Sequence, residues 1–155
     1  MKNSKLIEKS YSDAVKGIKK DWFLNSNTNW YDYVVNLPIH LKVTYLVVVL
    51  HNQVFNGGFH QYFVNGYGQF AVETIKALID IGAFKRSNLL EAAYKIVNSN
   101  NLCTEFFRKQ LLDKEIKLLF VTDEFYAPLD ELDNEYYSID DEEIEELLGN
   151  YLVSG

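Results

Sequence analysis

Proline occurs at only two places in this 155-residue chain, Pro38 and Pro128. A helix interior excludes proline, so the long proline-free stretches are free to follow whatever period their apolar residues set. That period is helical almost throughout. Leu6, Ile7, Tyr11, Ala14, Val15, Ile18 and Trp22 recur three and four apart, with lysines on the other side. An Asn-rich segment, Asn25 to Asn29, interrupts them, and Asn36-Leu37-Pro38 suits the first turn of a new helix. Val43 to Leu50 is β-branched enough to pass for a strand, yet the apolar span runs on from Ile39 to Phe55 without turn residues. Its length favours a buried helix.

Asn56-Gly57-Gly58 should stop that helix, because Asn and Gly tolerate backbone conformations that end helices. A short piece from Phe59 to Val64 follows. Gly66-Tyr67-Gly68 then leads into a helix bearing Phe70, Val72, Ile75, Leu78 and Ile79, with a stop at Gly82. Asn88 with Glu91 reads as a capping box opening a helix to Val97. Thr104 is placed to cap a helix carrying Phe106, Phe107, Leu111, Leu112, Ile116 and Leu119. Asp140 and Glu143 form an expected cap pair for a last helix striped by Ile144, Leu147, Leu148, Tyr151 and Leu152. The expected fold is all-α: a single compact multi-helix bundle over residues 1–155 with an acidic amphipathic C-terminal helix. Residues 1–36 form an N-terminal helical extension of the core at 37–152.

Charge is distributed with equal clarity. Residues 121–155 hold twelve acids and no Lys or Arg, whereas residues 1–120 carry 15 bases and 10 acids, a net of +5. Direct nucleic-acid binding by such an end is disfavoured, since phosphates would be repelled, and basic proteins become the expected partners. The stripe on the last helix implies that these carboxylates are mounted on a docked element instead of a solvated tail. Glu142 and Glu146 are expected opposite that stripe, with Glu143 and Glu145 flanking it. The candidate partner-binding set is Asp130, Glu131, Asp133, Glu135, Asp140, Asp141, Glu142, Glu143, Glu145 and Glu146.

Other global features are quieter. Cys103 is the sole cysteine, which excludes an internal disulfide and fits a reducing compartment. The charged start and the shortness of the longest apolar run, Tyr45 to Leu50, point to a cytoplasmic protein without a membrane span. His40, His51 and His60 lack metal-ligand spacing, and no nucleophile elbow, P-loop or dinucleotide fingerprint is present. No cofactor or metal is expected. The densest polar constellation lies around Asn56-Gly57-Gly58-Phe59-His60-Gln61-Tyr62-Phe63-Val64-Asn65. Asn56, Gly57, Gly58, Gln61 and Asn65 suit a structural motif, because a helix break needs turn residues and amides to satisfy its loose backbone groups. His51, Asn56, His60, Gln61 and Asn65 are also the residues a small-molecule or enzymatic site would use.

The string from Asn56 to Asn65, followed by Ile81-Gly82-Ala83, resembles the core motif of a bacterial family of DNA-mimic proteins. Leu132-Asp133-Asn134-Glu135-Tyr136-Tyr137 and the acidic helix after it are similar to that family's ending, so the resemblance spans Leu37 to Leu152. It implies an all-helical, frequently dimeric fold without known catalytic residues. It further implies that surface carboxylates stand in for phosphates on the DNA-binding face of a basic partner, such as a transcription regulator, a nuclease or a toxin. Helix neighbours three or four apart lie about 5–6 Å from each other, and DNA carries a charge about every 3.4 Å per strand, so the match is physically workable.

Overall fold

A computed structural model of the chain describes residues 1–154, and the expected all-α bundle is what it shows. Nine α-helices and no strand occur among the described residues: α1 (Asn3–Val15), α2 (Asn29–Val35), α3 (Ile39–Val64), α4 (Ala71–Ile81), α5 (Phe84–Val97), α6 (Thr104–Leu112), α7 (Lys117–Phe120), α8 (Tyr126–Tyr137) and α9 (Ile144–Ser154). Short 3-10 turns at Lys20–Phe23 and Tyr67–Phe70 join α1 to α2 and α3 to α4.

The central element is α3, packed by α1, α4 and α8. Val43 to Val47, Val49, Leu50 and Val54 are all buried, which explains a sequence apolar on every side. A helix enclosed by its neighbours gains about 1.5–3 kcal/mol for each large apolar side chain removed from water, enough to override the strand preference of valine. Trp30 joins this core from α2, donating its indole N–H to the Tyr45 hydroxyl at 3.0 Å and meeting Phe70 edge-on. Residues 1–36 are built into the bundle: Ala14, Trp30 and Val34 are buried, and α1 packs on both α3 and α9.

Several local expectations give way to longer-range chemistry. The apolar spacing through Trp22 overruns α1, which ends at Val15. There the Tyr33 hydroxyl donates to the Ala14 carbonyl at 2.6 Å and accepts the Gly17 N–H at 3.2 Å. The capping box at Asn88 is absent, because α5 opens earlier, at Phe84. Thr104 is the first residue of α6 and makes no capping bond. That helix ends at Leu112, with Lys114 in a left-handed conformation (φ 56°), so Ile116 and Leu119 belong to the next turn. The stop at Gly82 needs no outside help: it is left-handed (φ 89°), and the Ala83 N–H closes on the Leu78 carbonyl at 2.8 Å.

Candidate functional site

The glycine motif is a break inside α3. Gly57 (φ −157°, ψ 18°) and Gly58 (φ 79°, ψ −179°) leave helical geometry, and the latter conformation is essentially reserved for glycine. A Cβ on Gly58 would also collide with the Asp133 carboxylate, and one on Gly57 with the Gln61 amide. Such a break orphans a carbonyl before it and an N–H after it. Both are satisfied from α8. Tyr137 donates its hydroxyl to the Val54 carbonyl at 2.6 Å, and Asp133 accepts the Phe59 N–H at 2.8 Å. Burial pushes the Asp133 carboxyl up from its ordinary value, opposed by the Phe59 hydrogen bond. Between these two contacts, Tyr136 meets His51 Nδ1 through its hydroxyl at 2.8 Å and sits against Phe55 and Phe59. The two strings that carry the family resemblance are therefore one packed unit.

A second unit ties the acidic end to α5. The Glu142 carboxylate accepts the Lys85 N–H at 2.7 Å and the Arg86 N–H at 3.0 Å, capping α5 in trans. Arg86 returns the contact: its Nε donates to the Glu142 carbonyl, its guanidinium donates to the Tyr136 carbonyl at 3.1 Å, and the group lies 4.4 Å over the Tyr136 ring. Burial, with the Arg86 charge adding to it, lowers the His51 imidazole to about 4, so it is neutral near pH 7.

These contacts correct the candidate acidic surface. Asp133 and Glu142 are buried, at 8% and 6% exposure, and are committed to backbone N–H groups. Glu142 precedes α9 instead of facing outward from it. The expected Asp140–Glu143 cap pair is likewise replaced. The helix begins at Ile144, with the Glu143 backbone carbonyl accepting the Leu147 N–H at 3.0 Å, and neither side chain bonds to it among the described residues. Sequence reasoning missed the pairing of Glu142 with α5. The available signal was the lack of any polar side chain at Ala83, which leaves that helix N-terminus to be capped from elsewhere.

The other ten acids of the C-terminal end are exposed: Asp123, Glu124, Asp130, Glu131, Glu135, Asp140, Asp141, Glu143, Glu145 and Glu146. Asp141 pairs with Lys85 at 2.6 Å, and that hydrogen bond holds its carboxyl below the usual range. Among the described residues the remaining nine have no cation within ion-pair distance. By contrast Glu8, Asp13, Asp80, Glu91 and Asp113, from the first part of the chain, each face a lysine three or four residues away.

The polar residues around the break do not converge on one point. His51 turns to Tyr136, while His60 Nε2 lies 3.2 Å from the Leu119 carbonyl and its ring lies tilted against Tyr126, with centroids 4.3 Å apart. Asn56 donates to Gln61 at 3.1 Å; Gln61 and Asn65 both donate to Gln53 Oε1, at 2.9 and 3.0 Å. Among the described residues, no three His, Cys, Asp or Glu side chains are grouped to hold a metal ion, and no helix is long and apolar enough to cross a membrane. A family model described as DMP19-like protein matches residues 35–154. No curated protein and no solved structure matches the chain.

Proposed function

The chain belongs to the DMP19-like family, and from that premise we propose a non-enzymatic binding protein whose C-terminal carboxylates replace DNA phosphates on a basic partner. The observation that carries this reading is the nine exposed acids without a cation within ion-pair distance among the described residues. A carboxylate already facing a lysine offers a partner little new attraction, whereas an unpaired one keeps its field. Asp130, Glu131 and Glu135 lie on α8, and Glu143, Glu145 and Glu146 at the start of α9, so both groups are mounted on helices packed to the core. Rigid placement matters, because a mimic must hold its charges where phosphates would stand. A homodimer would double the charged field. The partner class is a DNA-binding regulator, a nuclease or a toxin with a basic DNA-binding face.

Capture on immobilised protein tests the reading. At low salt, wild-type protein should retain a basic partner that duplex DNA then elutes. A variant with Asp130→Asn, Glu131→Gln, Glu135→Gln, Glu143→Gln, Glu145→Gln and Glu146→Gln should lose that partner. Equal retention by the variant, or a complex indifferent to DNA, would refute the mimic.

A further inference from the structure

Both tryptophans of the chain, Trp22 and Trp30, line a cleft of about 420 Å³ between the segment Trp22–Asn27, the end of α3 and the end of α6. The cleft lies apart from α8 and α9, and none of the acidic C-terminal residues borders it. With Tyr67 the tryptophans supply an aromatic wall. The facing polar groups are neutral amides, Gln53, Asn65 and Gln69, and Lys114 is the one charged side chain of the lining.

Gln69 is the informative residue. It is 3% exposed, and its Nε2 donates to the Gly66 carbonyl at 2.9 Å. A carbonyl only accepts, so this bond fixes the amide orientation and leaves Oε1 as the other atom. That oxygen is buried and has no partner among the described residues. Buried acceptors of this kind are costly unless a donor reaches them. Gln53 Oε1 is occupied twice, by Gln61 and Asn65, which leaves the Gln53 amide N–H groups and the Asn65 oxygen to face outward partners. Gln69 also borders a neighbouring cleft, but that lining is charged, with Asp32, Glu105, Arg108, Lys109 and Asp113; Lys109 pairs with Asp113 at 2.8 Å, and Arg108 lies 4.0 Å over the Tyr31 ring.

We infer that the aromatic and amide cleft binds a small uncharged ring compound, a sugar or a nucleoside, that donates an O–H or N–H to Gln69 Oε1. An anion would call for more than one lysine and a cation for a carboxylate. Amides, which both donate and accept, match hydroxyls and base edges instead. An aromatic wall fits the C–H face of a sugar or the π face of a base. The volume lies in the range of small-molecule sites, about 300–1,000 Å³.

The site carries its own reporter, since every tryptophan in the protein lines it. Tryptophan fluorescence and saturation-transfer NMR of the full chain, against separate panels of common monosaccharides and of the ribonucleosides, test the inference. At least one compound should give a saturable response at or below about 10 mM, the weak end of specific affinity. The panel that responds identifies the source of the ring. Gln69→Leu should weaken that response at least roughly tenfold, and Gln53→Ala together with Asn65→Ala should weaken it if the leucine variant does not fold. Absence of any response from both panels, or unchanged affinity in the folded variants, would overturn the inference.

Discussion

Asp133 of α8 accepts the Phe59 N–H of α3 at 2.8 Å, so a carboxylate from the acidic end serves as the cap that a broken helix lacks. Removing the acceptor in Asp133→Ala should leave that N–H unsatisfied and cost about 1–3 kcal/mol in chemical denaturation. Asp133→Asn retains an acceptor without the buried charge and should lose far less. The raised carboxyl predicts the pH sign: ionising Asp133 costs the fold, so its contribution is present at low pH and declines as pH rises through the folded value. The stability difference between wild type and Asp133→Asn should therefore shift against wild type on going from acid to neutral pH.

Gly58 adopts φ 79° with the Asp133 carboxylate packed where a Cβ would stand. Gly58→Ala should cost at least about 1–3 kcal/mol from backbone strain alone, read as a fall in Tm. Paired with Asp133→Ala, which vacates the space, the two losses should be less than additive.

Glu142 and its acidic neighbours should separate cleanly in a stability assay. Glu142→Ala removes the trans cap of α5 and should destabilise by about 0.5–2 kcal/mol. Glu143→Gln, Glu145→Gln and Glu146→Gln act on exposed side chains and should each stay within about 0.5 kcal/mol.

The neutral His51 predicts acid sensitivity. Its folded value, about 4, lies below the ordinary 6.5, so protonation favours the unfolded chain. Its contribution is complete above pH 6.5 and is lost as pH falls from there toward 4. Chemical denaturation at pH 7 and pH 5 should show a smaller drop for His51→Asn than for wild type.

The helices themselves were readable because their apolar spacing is local, as in α4 with its stop at Gly82. The break at Gly57–Gly58 was equally plain, since two glycines in an apolar run have few other uses. What the spacing could not convey was the source of the missing hydrogen bonds. The caps of α5 and of the second half of α3 come from Glu142 and Asp133, 56 and 74 residues away in sequence. Acids so placed look in the sequence like any others in a charged run. Burial alone distinguishes them, and burial depends on how α8 docks against α3 and α5. The two residues lost from the acidic surface thus help to attach it to the core, beside the buried Leu129, Tyr136, Ile144 and Leu148.

Carboxylates that stand in for phosphates must bind through charge, and salt is the sharpest probe of that. The dissociation constant of the captured basic partner should be measured across ionic strength for this protein and for duplex DNA. Mimicry predicts that both affinities fall steeply and in parallel as salt rises, with a shallower slope after neutralisation of Asp130, Glu131, Glu135, Glu143, Glu145 and Glu146. A slope near zero for the wild-type complex, or one unchanged by neutralisation, would contradict it.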